Sequence, residues 1–233
     1  MDAMFTIFVA KMGRWRLYQL LLERFAEIRV SEEAIELIYK EERRKKEAEP
    51  LPEGKLPPGF YRRYWSAINA ALVRRLDPSI ADARVQQMGE QIFSEVMGNP
   101  EFFMVSEEML TFLKEAVARG YALWVVSNQE PEGLVRLMEA FKVSCFFTGV
   151  LASDSVGFQK PDPHFFEVAI GATGLPRSHL AFIGNNPRND MKGAERAGIP
   201  NRYLYDPDGE HAGTPREVFF VSLKRPVDLF DYF

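Results

Sequence analysis

The chain has 233 residues, 46% of them hydrophobic, with 29 basic and 33 acidic side chains and a formal net charge of -4. That length allows one large domain, or a core with a smaller insert, and the apolar fraction supports a sizeable buried core. The mild acidity excludes nucleic acid as the main partner, since phosphate-backbone binding needs a concentrated basic face; no apolar run approaches the ~18–20 residues that span a bilayer.

In chain order, the first apolar and β-branched run, MFTIFVA, predicts a short strand. Four stretches with helical spacing follow. RWRLYQLLLERFAEI puts Leu17, Leu20, Leu21 and Phe25 on one stripe. SEEAIELIYKEERRKK opens on Ser31, a good N-cap, and closes on Arg43, Arg44, Lys45 and Lys46, where cations favour a helix C-terminus; this basic run reads as a solvated helix end. The Pro- and Gly-rich segment 49–59 is a loop. FYRRYWSAINAALVRRL and SIADARVQQMGEQIFSEVM complete an all-helical block over about 14–98. After Asn99-Pro100 the pattern changes. SEEMLTFLKEAVARG carries a capping-box signature at Ser106 and a C′ residue at Gly120. YALWVVSN is a continuous apolar strand of the kind buried on both faces of a parallel sheet. Then come the helix PEGLVRLMEAF, the strand CFFTGVLAS, the helix PDPHFFEVAIGATG, the strand LAFIG, the helix DMKGAERAGI, and RYLYD and VFFVS as last strands. The alternation predicts a doubly wound, Rossmann-like parallel α/β sheet with an inserted all-helical unit. Cys145, the one cysteine, lies in the apolar stretch VSCFF and reads as a buried, inert thiol. With no disulfide possible within the chain and no signal-peptide plan at the N-terminus, a reducing cytoplasm fits.

In such sheets ligands bind at the loops that follow the strands. Three of those loops carry polar groups: Ser127 and Asn128 after YALWVV, Lys160 in GFQKPDP, and Asp190 in GNNPRND. The Ser127 hydroxyl and the Asn128 N–H can hold an anionic oxygen at a helix N-terminus, Lys160 sets a point charge against that anion, and Asp190 holds a metal or orients Lys160. Singly, each has a plainer reading as a cap, a solvated lysine or a turn residue. Together, on three successive strand ends, they mark a site. His164, His179 and His211 have no metal-ligand spacing. Trp15, Trp65 and Trp124 read as core or cap-interface residues.

The segments LWVVSN, GFQKPDPHFFEVA and AFIGNNPRNDMKGAERAGI resemble the second, third and fourth motifs of the haloacid dehalogenase-like (HAD) superfamily, and the helical block resembles its C1-type cap. The resemblance implies a core of residues 1–13 and 99–233 and a cap of residues 14–98. It implies an Asp nucleophile after the first strand, a covalent intermediate, a second Asp two residues later as general acid/base in the phosphatases, and Mg²⁺ held by the nucleophile and fourth-motif acids. By that resemblance Ser127 is the phosphate binder, Lys160 the third-motif lysine and Asp190 the second fourth-motif acid. Asn185 stands where the first of those acids is usual, and its amide oxygen coordinates Mg²⁺ without adding charge; Asn186 joins it in the metal loop.

The first motif stays open between two alignments. In one, DAMFTIF matches the motif, with Asp2 as nucleophile and metal ligand, Thr6 as the motif threonine contacting phosphate, Phe5 in place of glycine and Met4 at the acid/base position. In the other, MFTIFVAK is the central strand, Val9 takes the nucleophile position, and Lys11 pairs with Asp190. A third reading has the natural protein beginning a few residues earlier. The function expected from the first alignment is hydrolysis of a small phosphorylated metabolite, with Mg²⁺ as cofactor, a small molecule as partner, and neither nucleic acid nor membrane. The alternatives are a catalytically degenerate binding or regulatory protein, and a 2-haloacid dehalogenase-like hydrolase.

Overall fold

A computed structural model describes the whole chain except Phe5, Leu51, Glu53, residues 212–218 and Phe233. Its central feature is a set of parallel strands. β3 (Leu123–Ser127) pairs with β4 (Phe147–Ala152), and β5 (Ala181–Gly184), β6 (Asn201–Tyr205) and β7 (Val221–Leu223) form a second parallel group. Val218, in the predicted strand VFFVS, lies outside the described residues; β7 begins three residues later.

Residues 1 and 2 join the two groups. The nitrogen of Met1 donates to the Trp124 carbonyl at 2.6 Å, the N–H of Val126 donates to the Met1 carbonyl at 2.9 Å, and the N–H of Asp2 donates to the Ile183 carbonyl at 2.8 Å. The central lane between β3 and β5 is therefore taken by the first two residues. MFTIFVA is not the central strand. The N–H groups of Ile7 and Phe8 both donate to the Ala3 carbonyl, so the run leaves the sheet in a tight turn. It regains strand geometry only in β1 (Val9–Ala10), antiparallel to β2 (Phe103–Met104). A run this apolar is shared between strand and buried turn, and the lane already occupied by Met1 and Asp2 decides for the turn. Val9 is at the cavity edge and exposed, and Lys11 is exposed, so neither takes the place that the second alignment gave it.

Successive residues on each central strand point to opposite faces. Val125, Ile183 and Tyr203 pack with Phe112, Leu113, Leu134 and Leu137, from α5 (Glu107–Ala118) and α6 (Pro131–Ala140). Val126, Phe182 and Leu204 pack with Phe165 and Phe166 of α8 (Pro163–Thr173) and Ala194 of α9 (Gly193–Arg196). Helices cover both faces, which explains strands that are apolar throughout; each fully buried Leu or Phe is worth about 1.5–3 kcal/mol of transfer free energy.

Between β1 and β2 run α1 (Arg14–Ala26), α2 (Glu32–Glu47), α3 (Phe60–Leu76) and α4 (Asp82–Gly98), with their own core. Ser31 accepts from the Ala34 N–H and caps α2 as the sequence predicts. The apolar stripe of α1 is rotated slightly from the expected one: Leu17, Tyr18, Leu21 and Leu22 are buried, while Leu20 and Phe25 are half-buried. Asn69, itself buried, ties three of these helices together: it accepts from Tyr18 Oη at 3.0 Å and donates to the Gly89 carbonyl at 3.3 Å. A short α7 (Ser153–Val156) follows β4. The helix expected at DMKGAERAGI divides into a π-helical turn, Pro187–Lys192, and α9.

Cys145 is exposed, against the expectation of a buried thiol. It sits in a 3-10 turn, Ser144–Phe146, that dips Val143 into the core and leaves Cys145 outside. The native protein is therefore expected to react with a disulfide thiol reagent at one thiol per chain without denaturant; protection until unfolding would contradict this placement.

Candidate active site

The loops after the strands converge with Asp2 on a cavity of about 870 Å³. Asp2, Ser127, Lys160 and Asp190 lie on its sheet side, and Arg14, Tyr18, Tyr61 and Trp65 face them from the helical block. Trp65 thus lines the cavity, while Trp124 packs in the sheet core.

Lys160 is the hub. Its Nζ lies 2.6 Å from Asp2 Oδ1 and 2.7 Å from Asp190 Oδ1, with all three side chains buried. Burial alone would lower the ammonium's pKa, but the two carboxylates outweigh it and hold it above its ordinary value. Burial pushes the Asp190 carboxyl up to about 6; Asp2 adds to the rise, while Lys160 and the Asn186 N–H oppose it. Asp190 Oδ2 accepts that N–H at 3.0 Å. The acid also lies directly over the last strand residue: a Cβ on Gly184 would sit 2.4 Å from Asp190 Cγ, so only glycine leaves room for it.

The other expected site residues divide. Ser127 ends β3, buried on the cavity wall. The Asn128 side chain is spent on Lys160, donating from Nδ2 to its carbonyl at 2.8 Å and accepting its N–H on Oδ1 at 2.6 Å. Asn185 lines the cavity. Asn186, expected as a metal ligand, instead gives its side-chain oxygen to the N–H groups of Arg188 and Asn189 and caps the π-helical turn. Thr6, expected at the phosphate, is buried beside the turn in which Ile7 and Phe8 donate to the Ala3 carbonyl. It is buried away from the cavity wall, and its hydroxyl has no partner among the described residues. Phe5, at the motif glycine, lies outside the described residues. His164 stacks on Phe158 and bonds Asp162, and His179 is exposed. His211 is half-buried at the cavity rim.

No cluster of three His, Cys, Asp or Glu suited to a metal occurs among the described residues. The oxygen donors on the cavity wall, the Asp2 and Asp190 carboxylates and the Asn185 amide, are hard. They suit Mg²⁺, a cation that keeps several waters and takes one or two carboxylates. Sequence reasoning missed Gly184, whose position before the loop is its only signal, and the side-chain roles of Asn128, Gln129 and Glu130, which have no local signature.

Lys160→Met leaves Asp2 and Asp190 buried without their cation. It is expected to cost about 3–5 kcal/mol in urea unfolding at pH 7, with part recovered when Asp190→Asn is added. Equal stability of Lys160→Met and the parent chain would contradict the hub.

A family model of haloacid dehalogenase-like hydrolases matches residues 16–198. Phosphoserine phosphatase of Thermus thermophilus is 33% identical over 151 residues, 61% of this chain and 59% of that enzyme. The (S)-2-haloacid dehalogenase of Pseudomonas sp. strain YL is 30% identical over 121 residues, 51% of this chain and 52% of that enzyme. The alignments thus span only half to three fifths of these curated relatives. Among solved structures, the magnesium-bound HAD hydrolase YfnB of Bacillus subtilis superposes with a TM-score of 0.72 at 16% identity, over 99% of this chain and 95% of that one, a likeness of fold. A Rossmann-like α/β sheet with a helical insert, matched by the family model over most of its length, makes the chain a member of the haloacid dehalogenase-like hydrolases.

Proposed function

We propose that the chain is a phosphatase-type hydrolase of a small phosphorylated metabolite, with Asp2 as nucleophile. The observation that carries this reading is the Asp2 carboxylate at the end of the central lane, facing the cavity and 2.6 Å from the Lys160 ammonium. Asp2 attacks phosphorus, the bond to the leaving oxygen breaks, and an aspartyl phosphate forms. Water then attacks that phosphorus and returns Asp2 and inorganic phosphate. Lys160 balances the charge of Asp2 and of the incoming anion, and Ser127 binds a phosphoryl oxygen. Asp2, Asp190 and Asn185 would hold Mg²⁺, which when bound neutralises charge on the transferring group. Residues 1–13 and 99–233 act as the core, and residues 14–98 as the cap that closes the cavity. The phosphatase relative supports the phosphoryl substrate.

One observation favours a second reading. Met4, two residues after Asp2, is an apolar wall of the cavity and donates no proton to a departing alkoxide. A haloacid substrate needs none, because halide leaves unprotonated, and a dehalogenase is among the relatives. In the phosphatase reading the same feature favours substrates with good leaving groups. Among the described residues no helix is long and apolar enough to cross a membrane, and the lone cysteine suits a reducing cytoplasm.

Hydrolysis of p-nitrophenyl phosphate with Mg²⁺ tests the assignment. Turnover is expected, and Asp2→Asn is expected to reduce it by about 10⁴-fold. Undiminished turnover in the variant would remove Asp2 from the mechanism. Halide release from 2-chloropropionate without Mg²⁺, with no phosphate release, would replace the phosphatase reading with the dehalogenase one.

A further inference from the structure

The three residues after Ser127 reach three different parts of the molecule. Asn128 holds the backbone of Lys160 from both sides, at 2.6 and 2.8 Å. Gln129, fully buried, donates from Nε2 to the Met97 carbonyl in the last turn of α4 at 2.6 Å. Glu130 caps α6 through the N–H groups of Glu132 and Gly133, and its Oε1 faces Arg62 Nη2 of α3 at 3.4 Å.

Other contacts close the same circuit. α3 starts at Gly59 with no side-chain cap of its own. Asp154 of α7 supplies one, accepting the N–H of Tyr61 at 2.7 Å and that of Arg62 at 3.4 Å. The Gln129 carbonyl in turn accepts the Ser153 hydroxyl at 3.3 Å and the Asp154 N–H at 3.5 Å. Arg62 also reaches Glu132 at 3.1 Å and Ser94 of α4 at 3.2 Å. Gln129 Oε1 is buried with no partner among the described residues. Such an oxygen is costly. Its neighbour Nε2 is held by α4, and that contact sets the orientation in which the oxygen goes unmatched.

We propose that Asn128–Gln129–Glu130 couples the seating of α3 and α4 on the core to the placement of Lys160, with Arg62 and Asn128 as positioning residues that act on the site through that lysine. When the helical block is seated, Arg62 and Met97 hold the tripeptide, and Asn128 holds the Lys160 backbone so that Nζ stands between Asp2 and Asp190. When the block lifts, the tripeptide loses its contacts to Met97 and Arg62 and keeps those to α6 and α7, and the lysine loop loosens with it. The kinetic consequence rests on the phosphatase reading; the structural coupling does not.

A double-mutant cycle on p-nitrophenyl phosphate turnover reads the coupling. Arg62→Ala and Asn128→Ala are each expected to lower kcat by roughly 10- to 100-fold, the range for residues that orient a site group from behind, with KM changing by less than about threefold. The double variant is expected within about twofold of Asn128→Ala alone, because the connection is already cut. Arg62→Lys, which keeps a cation toward Glu130, is expected to recover part of the loss. Losses that multiply in the double variant, or that fall on KM alone, overturn the proposal. Hydrogen exchange supplies a readout without substrate: Arg62→Ala and Arg62→Lys are compared with the parent chain at the amide of Lys160. Faster exchange there in Arg62→Ala, with α8 unchanged, supports the coupling, and unchanged exchange at Lys160 overturns it. If the parent chain does not hydrolyse the ester, the phosphatase reading fails on that result, and the exchange data decide the coupling by themselves.

Discussion

One ammonium group organises this molecule. Lys160 Nζ is the shared partner of Asp2 and Asp190, residues 158 and 30 positions away along the chain. Two carboxylates cannot be buried side by side without a cation, and a buried lysine cannot stay charged without them. Each of the three is therefore tolerable only with the other two. The strands and loops that deliver them, the central lane, the loop before α8 and the loop after β5, must reach one point for the core to close. Both carboxylates of the trio also line the cavity, so the same condition sets the charge of its wall.

The helical block matters because it supplies the opposite wall. Arg14, Tyr18, Tyr61 and Trp65 stand across from Asp2, so a molecule held at the carboxylate has its remainder enclosed by aromatic and cationic groups. Burial raises the pKa of the Tyr61 phenol, and the negative charge of Asp2 adds to the rise, which keeps that hydroxyl protonated. Tyr61 itself lines the cavity.

Much of this is legible in the sequence, for identifiable reasons. Ser127, Lys160 and Asp190 can be named because strand, turn and helix signals place them on successive strand ends, where ligands bind in this architecture. The parallel sheet can be named because its strands are apolar on both faces. Asp2 and Val9 cannot be separated, because MFTIFVA has the composition of a strand and is bent into a turn by a lane that Met1 and Asp2 already fill. Residue type alone makes Asn186 a metal ligand, yet an asparagine before a proline-led turn caps it equally well. Cys145 takes its expected burial from apolar neighbours, while a single 3-10 turn reverses the side on which it lies. Asn128 hides its role because its partner is a backbone 32 residues away.

The Tyr18–Asn69–Gly89 linkage has a consequence for recognition. A buried amide with both ends engaged binds α1, α3 and α4 into one unit, and such a network resists partial rearrangement, since breaking one bond strands a polar group in the interior. The wall that contains Tyr18 therefore cannot mould itself around different guests. It presents one fixed face to the carboxylates. A guest of matching shape meets a surface already in its bound form and loses little free energy to reorganisation. One of different shape finds no second arrangement to adopt. A stiff wall of this kind discriminates by shape rather than by the number of contacts it makes.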